Sequence, residues 1–375
     1  MGIKIKDQPF YMQSTVVLFG LILLVYVLAT LADIMVPLAF AAFLAVLLNP
    51  LCNRLQQHKV PKILSIIIAM AIMILFVATV FYFLSTQIIQ FGDSLPMLKQ
   101  KLGDITINLK GWIQQTFGVA ITKQDQMVHD ALDNSQAMVG RTVNSVLSTL
   151  SVVFLLPVYI FLMLYYKTLI LNFLFEVFAE ENSKKVSDVL GETKSAIQSY
   201  IVGLLIEMII VAVMNSIALL LLGVKYAILI GSIGAILNLI PYLGGIIAIA
   251  LPVLMATVTK DGYSTQLGVV IAYIVIQFID NNILVPRIVS SKVQINALMS
   301  IIVVLLGNQL WGVSGMFLSI PFVAVIKIVF DRIDDLKPWG KLLGDNVPTH
   351  HMGEMWRNRN KRKAVLPTHE QKKVD

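Results

Sequence analysis

The sequence predicts an all-α, polytopic integral membrane protein with about eight transmembrane helices, its later apolar stretches broken or re-entrant near Pro241 and Gly312. Three observations predict it. Hydrophobic residues make up 57% of the 375 and charged residues only 14%, against roughly 45–50% and 25% in soluble domains. The charges are segregated, leaving six uncharged runs at 8–32, 34–53, 63–92, 142–166, 226–259 and 293–326. Each reaches the roughly 20 residues that a helix needs to cross a hydrocarbon core about 30 Å thick. The last two are too long for one simple crossing and are interrupted by Asn, Gly and Pro.

This composition disfavours a disordered chain, a secreted disulfide scaffold and a cytosolic enzyme. The net charge of +7 reads as membrane topology rather than nucleic-acid binding, because the basic residues gather in short loops and in the tail. The single cysteine, Cys52, excludes an internal disulfide and any multi-thiolate metal site.

The first span lies within 16–32. Ala29-Thr30-Leu31-Ala32 is a poor signal-peptide cleavage site and the next span follows at once, so this helix is expected to be retained. The second, near 34–48, carries Pro37 close to its start and is expected to close at Asn49-Pro50, since Pro50 biases Asn49 out of the helical region. The loop that follows holds Arg54, His58, Lys59 and Lys62 with no acid, which places it on the cytoplasmic side together with the N-terminus. A third span, about 63–84, leads to a mixed-charge segment outside, whose part 126–143 is patterned as a surface helix.

The fourth span, 143–166, contains Pro157 and is expected to kink there. The charged stretch 167–194 reads as cytoplasmic amphipathic helix or as a solvated connector. A fifth span, 199–222, carries Glu207 near its middle and Asn215 two turns on, and ends at Gly223. Another span, 267–284, separates the two interrupted runs. The domain organisation that results is three helices over 1–84, an extracytoplasmic segment over 85–142 and a fourth helix over 143–166. A cytoplasmic segment over 167–198, a C-terminal transmembrane region over 199–330 and a basic cytoplasmic tail over 331–375 complete it. An even number of crossings leaves both termini cytoplasmic.

The interrupted runs share one order: an apolar half, an Asn, a glycine-rich break, a second apolar half and a Pro. The first holds Asn238, Pro241, Gly244, Gly245 and Pro252, and the second Asn308, Gly312, Gly315 and Pro321. Paired interrupted segments point to a transport site, since unwound backbone at membrane depth survives only inside protein or along a wet cavity. Two kinked helices packing closely at glycines account for the same pattern.

Catalysis finds little support. Gly191-Glu192-Thr193-Lys194-Ser195 lacks the glycine cradle of a phosphate loop, so ATP-driven pumping is not expected. The five histidines, His58, His129, His350, His351 and His369, lie in loops or the tail, and His350-His351 reads as solvated tail rather than as a metal site. Gly312-Val313-Ser314-Gly315 matches the Gly-x-Ser-Gly of rhomboid proteases, but no histidine in any span can activate Ser314. The tetrapeptide therefore reads as close packing and a helix break. No catalytic residue, cofactor or metal is expected.

The surviving candidates are acids. A charged carboxylate at mid-bilayer costs on the order of 3 kcal/mol, so such a residue faces a cavity or a partner. Glu207 is the deeper, and a carboxyl group there that exchanges a proton would couple transport to a gradient; a neutral Glu hydrogen-bonded to a neighbouring helix is the alternative. Asp280 lies nearer a span end, where Asn-rich sequence also serves to cap a helix. With Gln277, Asn281 and Asn282 it forms a cluster of oxygen-bearing side chains suited to Na⁺ or to a polyhydroxylated solute.

Several segments resemble those of the bacterial autoinducer-2 exporter (AI-2E) family. They are Leu239-Ile240-Pro241-Tyr242-Leu243-Gly244-Gly245, then Gln277-Phe278-Ile279-Asp280-Asn281-Asn282 with Leu284 and Pro286, and Gly312-x-x-Gly315 with Pro321. Pro37, Leu48-Asn49-Pro50, Pro157-Val158-Tyr159 and Tyr200-x-x-Gly203 agree. The resemblance runs from the first span to about Asp331 and supports Pro241, Asp280, Asn281 and Asn282 as site residues. It implies a multi-span inner-membrane transporter, homo-oligomeric, exporting a small polar solute such as autoinducer-2 or exchanging Na⁺ or Li⁺ for H⁺. A membrane scaffold without transport is the remaining class. Its partners would be solute or cation, lipid and copies of itself, with no nucleic acid. The candidate pathway is therefore Glu207, Asn215, Asn238, Pro241, Gly244, Gly245, Gln277, Asp280, Asn281, Asn282 and Asn308.

Overall fold

A computed structural model describes residues 9–92, 95–118, 120, 122, 155–178, 183–239, 244–260, 262–289 and 295–345. Among them the chain is helical, with one isolated antiparallel bridge between Ile295 and Gly344. In order the helices are α1 (Phe10–Thr30), α2 (Ala32–Gln57), α3 (Lys62–Gly92), α4 (Leu95–Phe117), α5 (Leu155–Tyr165) and α6 (Lys167–Phe178). They continue with α7 (Ser183–Leu221), α8 (Ala227–Asn238), α9 (Gly244–Thr259) and α10 (Ser264–Ile279). A π-helical extension (Asp280–Val289), α11 (Ala297–Arg332) and α12 (Lys337–Leu343) complete the set.

Apolar side chains cover the outside as well as the inside: in α1, for example, Val17, Phe19 and Leu24 are all exposed. That is how a protein looks when its solvent is lipid. Among the described residues five helices are long and apolar enough to cross a membrane when α11 is counted over its whole length, six when α5 and α6, bent by 62° at Tyr166, are taken as one span. The expected eight differ from this through Ser14–Thr30 and the α8/α9 segment, whose helices are each shorter than a crossing.

Helix α7 is the spine. At 39 residues it is roughly 58 Å long, so its charged first third stands clear of a hydrocarbon core. Phe43 of α2, Tyr200 and Leu204 of α7, Val289 of the π-helical extension and Leu318 of α11 form one core cluster. Leu219 of α7 packs with Ile230 of α8, Ala248 of α9 and Val269 of α10 in a second. Ala41 and Cys52 of α2, Ile66 of α3 and Ile160 of α5 form a third.

Two sequence expectations are corrected. Helix α2 does not close at Asn49-Pro50 but runs on to Gln57. Pro50 has no N–H for the carbonyl of Val46, and Gln198 of α7 supplies the missing donor, its Nε2 lying 2.7 Å from that oxygen. Nor is 183–198 separate from the fifth span, because α7 is continuous through it. The 126–143 stretch lies outside the described residues, while α4 shows that the segment after α3 begins as helix.

Both interrupted runs fold back on themselves. At Trp311 (φ −136°, ψ 21°) and Gly312 (φ 60°, ψ −142°) the backbone of α11 leaves helical values. A β-carbon on Gly315 would run into the carbonyl oxygen of Gly307, and one on Gly307 into that of Gly315. Residues eight apart in a straight helix are separated by about 12 Å, so 297–310 and 313–332 are antiparallel arms of a tight hairpin. The earlier run does likewise: a β-carbon on Gly234 of α8 would lie 3.4 Å from that of Ala248 in α9. With 12 and 16 residues, α8 and α9 measure about 18 and 24 Å, each short of a full crossing.

Candidate transport site

The hairpins and α7 enclose a cavity of ≈ 720 Å³. Glu207 enters it from α7, Asn238 from the last turn of α8, Gly245 from the first turn of α9, and Tyr273 and Gln277 from α10. Asp280 and Asn281 open the π-helical extension, and Ser300 and Ile320 come from the two arms of α11. Broken helices thus converge on one space, as the sequence pattern suggests.

Glu207 and Asp280 are 5% and 2% exposed, and both line this cavity. Asn238 Nδ2 donates to Asp280 Oδ2 at 2.8 Å, and Gln277 Nε2 lies 3.4 Å from the same oxygen and 3.3 Å from Asn281 Oδ1. Among the described residues Glu207 Oε2 and Asp280 Oδ1 accept no hydrogen bond, and the Tyr273 hydroxyl makes none. Buried polar atoms left open are costly unless a ligand or water serves them.

Local sequence explains the placement. Asn282 Nδ2 donates to the carbonyl of Phe278 at 2.8 Å, the acceptor that an α-helix reserves for the backbone N–H of Asn282. Pro286 in turn offers no N–H to the carbonyl of Asn282. The ladder widens into π-helix there, turning Asp280 and Asn281 toward the cavity. Gly245 has no side chain because a β-carbon would stand 2.7 Å from Gln277 Oε1.

Of the expected residues, Glu207, Asn238, Gly245, Gln277, Asp280 and Asn281 share this cavity. Asn282 is an exposed structural bridge on its own helix. Asn215 is buried between α7 and α8, its Nδ2 3.4 Å from the carbonyl of Gly231, and Asn308 is exposed on the first arm of α11. Gly244 starts α9, and Pro241 lies outside the described residues. Tyr200, Tyr273 and Ser300 line the cavity without having been expected. A helical periodicity shows the two tyrosines: Tyr200, Leu204 and Glu207 fall on one face of α7, and Tyr273, Gln277 and Asp280 on one face of α10 and its extension.

Fold and site together define a multi-pass membrane protein with a polar chamber between re-entrant helices. The family model of AI-2E family transporters matches residues 16–335, and the chain belongs to that family, which makes it a transporter. It is similar to the AI-2 transport protein TqsA of Escherichia coli, 26% identical over 318 residues that cover 84% of this chain and 90% of TqsA. It is also similar to a Haemophilus influenzae protein named for transport with no substrate stated, 26% identical over 326 residues covering 84% and 91%. YrrI of Bacillus subtilis, likewise named for transport alone, is 25% identical over 307 residues covering 79% and 85%.

Proposed function

We propose that the protein is an inner-membrane secondary transporter that exports a small, uncharged, hydroxyl-rich solute through the Glu207–Asp280 cavity. Autoinducer-2, for which the relative TqsA is named, is the first candidate. The observation that carries this reading is that both buried acids open onto one chamber with amide and hydroxyl groups and, among the described residues, no Lys, Arg or His in its wall. Among the described residues a phosphorylated or carboxylated solute would meet negative or neutral groups there. A polyol would find acceptors in the carboxyl oxygens, donors in Asn238 and Gln277, and apolar walls for its carbon skeleton. The basic loop after α2 and the basic tail favour a cytoplasmic location for both termini.

Exchange of Na⁺ or Li⁺ for H⁺ is the second reading, favoured by the two carboxyl oxygens that accept no bond. A monovalent cation can take the place of the proton between such oxygens. Reconstitution into proteoliposomes separates the two. The export reading predicts solute efflux that is indifferent to sodium, and sodium-driven proton movement abolished by Asp280→Asn would replace it with exchange.

A further inference from the structure

A second cavity, of ≈ 490 Å³, lies between α2, α5, α6 and α7, and its wall changes character from one end to the other. Lys167, Lys194, Thr193 and Asn49 stand at the polar end; Ala45, Leu164, Leu171 and Phe175 make the apolar remainder. Lys167 Nζ donates to Asn49 Oδ1 at 2.9 Å and to Asn53 Oδ1 at 3.4 Å, which engages two of its three hydrogens. Lys194 and Lys62 are close enough to repel its charge. Among the described residues no carboxylate pairs with Lys167 or Lys194. Thr193 Oγ1 is buried without a hydrogen-bond partner. Gathering like charges and an open hydroxyl at one end of an apolar slot is unfavourable unless an anion joins them.

The residues beside the cavity are of the kind that gathers at lipid headgroups. Helix α5 ends at Tyr165 and Tyr166, where the chain bends by 62°, and Lys62 donates to the Tyr165 carbonyl at 2.7 Å while lying 5.1 Å over its ring. Tyrosines and lysines in this arrangement mark a membrane–water boundary. Beyond the bend α6 exposes Leu169 and Phe173, an apolar face for lipid.

We infer that this cavity binds the phosphate of an anionic phospholipid, held by Lys167, Lys194 and Thr193, with an acyl chain along Ala45, Leu164 and Leu171. Gly191-Glu192-Thr193-Lys194, which fails as a nucleotide loop, presents its Thr and Lys from inside a helix to a single phosphate instead. The apolar end selects lipid over free phosphate.

Native mass spectrometry of the full chain in detergent tests this, with dioleoylphosphatidylglycerol or dioleoylphosphatidylcholine added as probe. The glycerol lipid is expected to be retained in preference, and each lysine lost to lower its retention about fivefold, the weight of one lysine near an anionic headgroup. Lys194→Gln, at an exposed lysine that forms no ion pair among the described residues, is the milder variant, and Lys167→Gln/Lys194→Gln the stronger. Lys194→Arg is expected to restore retention and Lys184→Gln to leave it unchanged. Equal retention of the two lipids, or retention untouched by Lys194→Gln and by the double variant, overturns the inference. Displacement of the lipid by millimolar inorganic phosphate shows a free-anion site and equally overturns it.

Discussion

At the scale of single residues, partners that lie far apart in sequence decide what each side chain does. Gln198 matters through the carbonyl of Val46, 2.7 Å away, which Pro50 leaves without its helical donor. Gln198→Leu strands that carbonyl in a buried helix pair and is expected to lower stability by about 1–3 kcal/mol, read as the detergent unfolding midpoint. An unchanged midpoint means that water serves the carbonyl instead. Gly245 presents the opposite case. Its added β-carbon would meet only the movable end of Gln277, so Gly245→Ala is expected to keep the fold while displacing that amide from Asp280. Raised KM with an unchanged midpoint is the expected signature, and loss of folding contradicts it. In the sequence, depth singled out Glu207, and the neighbouring Gln277, Asn281 and Asn282 singled out Asp280. The hydroxyls of Tyr273 and Tyr200 were passed over because a tyrosine in a span also serves as ordinary apolar packing. Only the acids' helical faces identify them.

At the scale of elements, the breaks were legible and their consequence was not. Asn, Gly and Pro in 226–259 and 293–326 announced interrupted helices, but a pattern of letters does not distinguish a kink from a reversal. The reversal in α11 rests on Gly307 against Gly315 and on Gly312 at φ 60°, and the two kinds of glycine predict costs of different origin. Gly312→Ala meets no neighbouring atom and is expected to lose about 1–3 kcal/mol from backbone strain alone, since φ 60° with ψ −142° is a conformation essentially reserved for glycine. Gly315→Ala drives a methyl into backbone that cannot swing aside, so it is expected to lose about 1–3 kcal/mol through overpacking and to part the arms. Thermal unfolding of both variants, with the 303–319 distance followed by paired spin labels, checks this. A Gly315→Ala arm distance equal to wild type contradicts the hairpin. Ser314→Ala is expected to leave transport unchanged. The persistence of α2 past Pro50 was illegible for the reason that makes it stable, a donor 148 positions later.

At the scale of the whole molecule, the long helix α7 joins an ionic patch outside the core to the acid within it. Arg332, at the end of α11, pairs with Asp188 at 3.3 Å and with Glu192, and Lys185 lies 3.7 Å from Asp334. The Arg332 pairs are half-exposed, so each is worth about 0–1 kcal/mol and weakens with salt, while Lys185 and Asp334 stand exposed to solvent. Arg332→Ala is accordingly expected to shift the unfolding midpoint only slightly at low ionic strength and not at all in 1 M salt. A large salt-independent loss would mean that Arg332 is a packing residue. Segregated charge made the all-helical membrane class plain from composition. The number of crossings was less plain, because 20 apolar residues in a row look alike whether they traverse the bilayer or turn back within it.

The central claim is that Glu207 and Asp280 act as one unit on the transport path. Its most direct measurement is a double-mutant cycle on transport rate in proteoliposomes, using Glu207→Gln, Asp280→Asn and the pair, each with insertion and folding verified. The predicted result is a loss of at least about tenfold for either single variant and no further loss for the double, as for residues that share a single interaction. Wild-type rates in both single variants, or two losses that simply multiply, would contradict it.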